Sequence, residues 1–342
     1  MSAATKTKRA PEPGKAPVDA EELVEGSSLT ADAMRRFKRN RMAMACLTAV
    51  TIVTLLSFLP WAASFVSTDL GNAYITQDLT QTDMAPMPGL GFSEAFGEAG
   101  RGQSLGWKIG RCGRYLMGTD ANGRSVFWRV LEGGRISFLV AFIGTLVSLI
   151  VGVTYGSIAG YAGGRIDNLM MRGVDVLYGL PFMFLVIVFM SVIRGVTQEL
   201  WPIFIALGLV QWLTMARITR GQVISLRGQE FISAARVLGA PPSRILAFHV
   251  IPNLLGPIII YTTLTIPGTM LQESFLSFLG LGIREPQCSW GSLAADGIQA
   301  LSAVHSHWWQ IFFPCLALAI TLFSLNFIGD GLRDALDPKG QK

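Results

Sequence analysis

Few residues in this sequence have the types and the spacing that catalysis or metal binding requires. His305 and His307 flank Ser306. Two imidazoles without a third ligand nearby are more typical of an interfacial belt, here with Trp308 and Trp309, than of a metal site. The sequence has no cluster of Asp, Glu, His or Ser groups with catalytic spacing. We therefore predict no catalytic residue, no metal site and no cofactor held by this chain itself.

The placement of the acidic residues and of the glycines excludes two sources of energy, namely coupling to protons and ATP hydrolysis by this chain. A proton-coupled transporter normally carries a carboxylate or histidine deep in its membrane helices, whereas Asp175 and Glu273 fall near the ends of apolar segments. The phosphate-binding pattern GxxxxGK[ST] is absent, because Gly14-Lys15-Ala16 lacks both the hydroxyl residue and the preceding glycine. ATP that powers this protein must then be hydrolysed by another subunit.

These residues lie in a chain with the composition of a membrane protein. Of 342 residues, 51% are hydrophobic and 15% are charged, and the mean hydropathy is +0.44. Such values lie outside the usual range of soluble globular chains. We predict an all-α integral membrane protein with six transmembrane helices. The predicted spans are 42–66, 136–160, 174–193, 202–216, 253–275 and 309–329.

Basic residues beside the spans predict the orientation. Five of them precede the first span: Arg35, Arg36, Lys38, Arg39 and Arg41. They place the amino terminus in the cytoplasm, and six crossings return the carboxyl terminus to the same side. The predicted organisation is a disordered cytoplasmic tail (1–34), a basic segment with the first span (35–66), an extracytoplasmic loop with an interfacial segment (67–135), a transmembrane core (136–331) and a cytoplasmic tail (332–342).

The four cysteines form no CxxC pair. Cys46 and Cys315 fall within predicted spans. Cys112 and Cys288 fall on the predicted extracytoplasmic side, where a disulfide could form, and the sequence leaves their pairing open.

Small residues recur every four positions along the second predicted span. They are Gly144, Ser148, Gly152, Gly156, Gly160 and Gly164. This spacing favours close packing of helix backbones within lipid. Because four residues overshoot a helical turn by about 40°, the seam winds around the helix and could contact several neighbours. We interpret it as packing, without a ligand.

The segment 229–253 is charged and interrupted by prolines, and it separates two apolar runs. Phe231, Ala234, Ala235 and Leu238 follow the i, i+3, i+4, i+7 pattern, which predicts one apolar stripe on a helix of about ten residues. Gly239 can end a helix in the left-handed conformation, and the prolines that follow cannot continue it. We predict that the stripe is a docking surface for a partner protein.

This segment resembles the cytoplasmic coupling loop of ATP-driven (ABC) importer permeases. The pattern is Ala234, Ala235 and Gly239, followed by Ile251 and Pro252. That family usually has Glu directly before the paired alanines, where this chain has Ser233, and Glu230 matches a closer subfamily. The resemblance implies a coupling loop at 225–252. Its implied ATPase-coupling residues are Glu230, Ser233, Ala234, Ala235, Gly239 and Pro252.

Further motifs are similar to dipeptide and oligopeptide permeases. The stretch 118–125 resembles their GTDxxGRD motif, with Ser125 in place of Asp, and it leads into Val126, Phe127, Val130 and Leu131 on one helical face. We predict an amphipathic elbow at the membrane surface there. Glu273-Ser274, 277–282, 289–291 and 329–338 also match that subfamily.

The resemblance implies a type I ABC importer permease fold in the plasma (inner) membrane of a bacterium. The implied partners are a second homologous permease subunit, two ATP-binding subunits that carry ATP and magnesium, and an extracytoplasmic substrate-binding protein, with membrane lipid around them and no nucleic acid. Di- or oligopeptides are the implied substrate. Two alternatives stay open: nickel or another small solute carried by the same class of transporter, and a passive channel or scaffold. No substrate-binding residue is identifiable.

Overall fold

The computed structural model of this protein describes residues 29–65, 68–97, 102–194, 201–301 and 306–336. Regular structure in these ranges is helical, apart from two isolated β-bridges. The helices are α1 (Leu29–Arg39), α2 (Arg41–Ser64), α3 (Thr68–Gly71), α4 (Pro88–Phe96), α5 (Leu105–Arg114), α6 (Val126–Ala162), α7 (Gly164–Tyr178), α8 (Phe182–Arg194), α9 (Trp201–Arg227), α10 (Glu230–Val237), α11 (Pro242–Ile245), α12 (Ile251–Phe278), α13 (Trp290–Gln299) and α14 (Trp309–Leu336).

Five of the described helices are long and apolar enough to cross a membrane. They are α2, α6, α9, the continuous stretch Pro242–Phe278 and α14. In that stretch a π-helical turn at Leu246–Val250 joins α11 to α12. A sixth span forms only if α7 and α8 count together.

The predicted continuous third span, 174–193, is wrong. The axes of α7 and α8 meet at 86°. Gly179 caps α7 and Pro181 precedes α8, and a proline has no N–H with which to continue the first helix. The fourth span is longer than the predicted 202–216, since α9 runs to Arg227. Its second half carries polar residues, including Arg217, Arg220 and Arg227, so the apolar run stops while the helix continues.

The seam of small residues packs α6 mainly against α9, and Gly144 also lies beside Thr269 of α12. Leu207, Met215 and Val223 of α9 lie beside Gly144, Gly152 and Gly160 respectively. Because the residue numbers of these contacts increase in the same direction on both helices, α6 and α9 run parallel. The bent pair α7–α8 connects them. The seam therefore contacts two neighbours, α9 along most of its length and α12 at Gly144. It also stops before Gly164, which begins α7 with φ +57°.

The predicted amphipathic elbow is wrong, because α6 begins at Val126 and runs without interruption into the span. Ser125 caps it, accepting a hydrogen bond from the Trp128 amide at 3.4 Å. Its first turns are buried on nearly all sides by the rest of the chain, so they show no exposed polar face. Trp290 covers one side and donates from Nε1 to the Val130 carbonyl at 2.9 Å. The sequence pattern could not show that α13 and the preceding loop cover this turn.

Both ends of the described chain meet at the same end of the bundle. Phe37 of α1 packs with Ala43 and with Ala335 of α14. Helix α1 begins at Leu29, within the segment predicted to be disordered, and residues 1–28 of that segment lie outside the described residues. The carboxyl ends of α6 and α9 lie at this end too, so the loop after α9 also belongs to it.

The seam gives a direct test of the α6–α9 contact. A Cβ added at Gly152 would lie 2.6 Å from Met215 Cβ and 2.9 Å from the Trp212 carbonyl oxygen. We expect Gly152→Val to force the helices apart and to cost about 1–3 kcal/mol of stability, measured as a lower unfolding temperature of the purified chain in detergent. The control is Gly221→Ala on α9, where no atom lies within 4 Å. Equal unfolding temperatures for the two variants would contradict the assigned packing.

Candidate functional site

The loop that follows α9 forms a compact unit built around the short helix α10. The helix has eight residues, Glu230–Val237, fewer than the ten predicted. Gly239 ends it with φ +80°, as the sequence predicted, and the Ala240 amide donates to the Ala235 carbonyl at 3.1 Å. This left-handed termination turns the chain sharply before the prolines. The next membrane helix therefore starts directly beside α10.

One face of α10 anchors it to the bundle. Ile232 is fully buried and Ala235 is nearly so. They belong to a cluster with Val223 of α9 and with Ile245 and Val250 at the start of the next span. The helix is thus fixed to two membrane helices at once, and a force on α10 is carried directly into both.

A second, adjacent face of α10 is apolar and exposed. Phe231, Ala234, Val237 and Leu238 share it, and we call this set the free face. Val237 is 89% exposed and Leu238 is 86% exposed. Phe231, with a larger side chain, is 43% exposed. A short helix with such a face has the form of a docking surface.

The predicted stripe is therefore only partly correct. Phe231, Ala234 and Leu238 lie on the free face, but Ala235 faces inward with Ile232. Sequence periodicity missed Ile232 because α10 has apolar residues on two adjacent faces, and spacing alone does not tell which of them the bundle covers.

The other predicted coupling residues border this surface without forming a pocket. Glu230 is exposed in the first turn of α10, where its charge suits the positive end of the helix dipole. Ser233 is also exposed, and its hydroxyl donates to the Gln229 carbonyl at 3.4 Å. Pro252 is exposed at the start of α12.

Charged pairs brace the membrane helices near α10. Arg220 of α9 donates two hydrogen bonds to Asp167 of α7, at 2.5 and 2.7 Å. Arg217 pairs with Asp175 at 2.7 Å and lies 4.0 Å from the centre of the Tyr178 ring. The bidentate pair is the stronger contact, because its two parallel bonds fix the geometry. The sequence revealed neither pair, since the partners are separated by the bend between α7 and α8.

A second charged cluster lies at the opposite end of the bundle, in the GTDxxGR-like segment. Asp120 Oδ2 accepts hydrogen bonds from Arg124 Nε at 2.8 Å and from Arg129 Nη1 at 2.7 Å. Arg129 also reaches Asp296 of α13 at 3.2 Å, and Arg124 reaches Glu285 at 2.8 Å. Burial raises the pKa of Asp296, against the lowering effect of Arg129. The motif therefore ties the start of α6 to α13.

Glu273 links α6 to α12 beside this cluster. It is completely buried, and it accepts hydrogen bonds from Ser137 at 3.0 Å and from Ser277 at 2.7 Å. Ser137 in turn accepts from the Trp290 amide at 3.3 Å. No part of Glu273 reaches the surface, so it packs the two helices together.

The cysteines and histidines form no bridge or metal centre in the described part of the chain. Cys112 and Cys288 are not joined. Cys288 is buried and donates to the Arg129 carbonyl at 3.4 Å. Within the described ranges no three His, Cys, Asp or Glu side chains are grouped to hold a metal ion. His305 lies outside those ranges, and His307 is 3.6 Å from Asp83.

The described chain consists of membrane-spanning helices with a short, anchored helix in the loop between two of them. A family model described as the binding-protein-dependent transport system inner membrane component matches residues 152–342. A second, the N-terminal TM domain of oligopeptide transport permease C, matches residues 28–86. The chain belongs to the binding-protein-dependent transport family of inner membrane components, and it is accordingly a multi-pass inner membrane protein.

Named relatives cover nearly the whole chain. It is 42% identical to the oligopeptide transport system permease protein OppC of Haemophilus influenzae, over 92% of this chain and 90% of that protein. It is 43% identical to OppC of Escherichia coli, over 92% and 93%. The dipeptide transport system permease protein DppC of Bacillus subtilis is 39% identical, over 91% and 86%.

Solved structures agree on the fold. A chain of the MetNI methionine ABC transporter in an inward-facing conformation covers 62% of this chain and 98% of its own length, with 17% identity and a TM-score of 0.51. The type I permease fold expected from the sequence is confirmed.

The Asp120 cluster predicts a large difference in stability between two substitutions that each remove a carboxylate charge. Asp120→Asn leaves two buried guanidinium groups without their shared partner, so we expect a loss of about 3–5 kcal/mol in unfolding free energy. Asp175→Asn removes an exposed pair, which is worth at most about 1 kcal/mol. Denaturant titration of both variants in detergent measures the difference, and equal losses would contradict the structural role of Asp120.

Cys288 predicts a pH-dependent reactivity. Burial raises the pKa of its thiol to about 11 from the ordinary 9.0. The contribution of the buried, protonated thiol to the free energy of unfolding is complete below pH 9 and is lost as the pH rises through 11. Alkylation needs the thiolate, so at pH 8 we expect iodoacetamide to modify Cys288 only after unfolding, as read by mass spectrometry. The half-buried Cys112 is the internal control, and equal rates in the folded chain would contradict this assignment.

Proposed function

We propose that this chain is the permease subunit of an ATP-driven importer for di- and oligopeptides, that it forms half of the translocation pathway, and that it is driven through α10. The observation that carries the proposal is the free face of α10, held on a helix anchored to two spans. Such a surface transmits motion from a partner into the bundle. ATP hydrolysis takes place on that partner.

The partner is an ATP-binding subunit in the cytoplasm. Exposed basic residues gather at the end of the bundle that carries α10, including Arg36 before α2 and Arg236 and Arg244 around the loop. An excess of Arg and Lys in short loops is typical of the cytoplasmic side. Both chain termini then lie in the cytoplasm, and the Asp120 cluster lies outside it.

The substrate assignment rests on the named relatives. Relatives that cover nearly all of this chain at about 40% identity carry the names of oligopeptide and dipeptide permeases, and the amino-terminal family model is described as the N-terminal TM domain of oligopeptide transport permease C. These names favour peptides over nickel or another small solute.

The assembly has four kinds of component. A second, homologous permease completes the pathway, two ATP-binding subunits hold ATP and magnesium, and an extracytoplasmic binding protein delivers the peptide. The coupling residues are Glu230, Ser233, Ala234, Ala235, Gly239 and Pro252. Within this set Ala235 fixes α10 to the bundle, and Ala234 lies on the free face with Phe231 and Leu238. ATP binding switches the open side of the pathway between two states.

Substitutions on α10 test the coupling role. We expect Leu238→Asp to lower ATP-dependent peptide uptake at least tenfold, because a charge in an apolar docking surface costs more than about 1.4 kcal/mol of partner affinity. Co-purification of the ATP-binding subunit should fall with it, while the amount of chain in the membrane stays unchanged. Leu79→Asp, at a residue 74% exposed in the loop at the other end of the bundle, is the control.

A pair of substitutions at Gly239 tests whether the left-handed backbone conformation at this position is required. Gly239→Val places a β-branched residue at φ +80°, where it is strained, whereas Gly239→Asn tolerates this conformation better. Uptake should be lost in the first and largely kept in the second. Normal uptake in both Leu238→Asp and Gly239→Val would overturn the coupling assignment. A chain that purifies from native membranes without any ATP-binding subunit would favour a passive channel.

A further inference from the structure

Two glutamine side chains pair within the membrane-spanning part of the bundle. Gln211 of α9 donates from Nε2 to Gln272 Oε1 of α12 at 2.8 Å. At 1.5 Å per residue, Gln211 is about 15 Å from the start of α9 and Gln272 about 9 Å from the end of α12. Both are only partly buried. Primary amides carry several donors and acceptors, so this single bond leaves the pair with unused hydrogen-bonding capacity at the surface of the bundle.

Polar groups and open space extend from the pair along both helices. Tyr261, Gly268 and Gln272 follow the i, i+7, i+11 spacing of one face of α12, and no atom lies within 4 Å of the Cβ position at Gly268. Tyr261 is 36% exposed. On α9, Thr214 lies one turn beyond Gln211 and is exposed, where its hydroxyl meets the Tyr178 hydroxyl at 3.1 Å.

Other exposed faces of the spans have a different character. On α14 the exposed side carries Phe312, Leu316, Ile320 and Phe323. Its polar member, Asn326, returns its amide to the carbonyl of Leu322 in its own helix, at 2.8 Å. Such a face suits lipid, because it is otherwise apolar and its one amide bonds back to a carbonyl of its own helix.

The amide pair does not suit lipid. Unsatisfied amide groups cost several kcal/mol each in hydrocarbon, and polar side chains within spans normally face the bundle interior or a water-filled cavity. The bundle of this chain leaves the pair at its surface, so the aqueous side has to be supplied by the assembly. A pathway between two permease subunits meets that requirement.

We propose that Gln211 and Gln272 line the translocation pathway and hydrogen-bond the backbone of the peptide in transit. This inference rests on the proposed function. The glutamine amide has the same donor and acceptor groups as a peptide bond, so the contact is available to any sequence. Peptides of different side chains are then held alike at this point, and discrimination between them is left to other parts of the assembly.

Thiol accessibility tests the aqueous setting independently of any substrate. In the complete importer, with Cys112→Ala and Cys315→Ala as background, a charged methanethiosulfonate reagent should modify Gln272→Cys and Gln211→Cys. The same reagent should leave Leu316→Cys on α14 unmodified, while a lipid-soluble maleimide modifies it. If the two glutamine positions react only with the maleimide, they face lipid and the inference is overturned.

Transport tests the peptide contact. In proteoliposomes holding the complete importer, the double variant Gln211→Leu/Gln272→Leu keeps side-chain size and removes the amides. We expect its uptake of several unrelated peptides to fall by a similar factor, about tenfold, with ATP hydrolysis retained. The uptake of peptides methylated on backbone nitrogens should fall less in the double variant, because these peptides already lack N–H donors. The matched control is Asn326→Leu, which removes an amide from the apolar face of α14 and should leave uptake unchanged.

The outcomes separate this inference from the proposed function. Full peptide uptake by the double variant would overturn the inference and leave the peptide importer intact. An unsubstituted complex that imports no peptide would overturn the proposed function and the peptide contact together. The thiol result would then still decide whether the two glutamines face water.

Discussion

The close contact between α6 and α9 fixes the positions of the other elements. Glycines at 144, 152, 156 and 160 let the two backbones approach, and within lipid such packing takes the place of the hydrophobic effect as the force between helices. The helices are parallel, so their carboxyl ends emerge together. Helix α10 follows α9 directly and packs beside Val223, so the docking surface is positioned by the same contact that holds the core together.

Helix α12 completes the arrangement because it contacts both members of this pair through polar groups. Glu273 bonds to Ser137 of α6, and Gln272 bonds to Gln211 of α9. Its other end continues into the anchor of α10 through Ile245 and Val250. A displacement of α10 therefore reaches the region of Gln272 along one continuous helical stretch, which suits the proposed coupling of a cytoplasmic partner to the pathway.

The two ends of the bundle are held by different chemistry. At one end Asp120, Arg124 and Arg129 are buried and share partners, which favours a rigid arrangement. At α10 the anchor is a small apolar cluster with an exposed rim, which suits a surface that binds and releases a partner. The buried charged cluster at one end and the free face at the other suit the proposed coupling of α10 to a partner.

The sequence by itself determined the membrane class, most of the spans, the turn at Gly239 and the resemblance to importer permeases. These follow from local causes, because hydrophobic length, glycine conformation and motif order need no knowledge of neighbours. The tertiary structure decided which residues of α10 face the bundle, how α7 and α8 bend at Pro181, and that the start of α6 is buried by the rest of the chain. It also decided the pairing of Gln211 with Gln272 and of Asp120 with Arg129. Each of these depends on which distant segment covers a surface, and a spacing pattern along one chain does not contain that information.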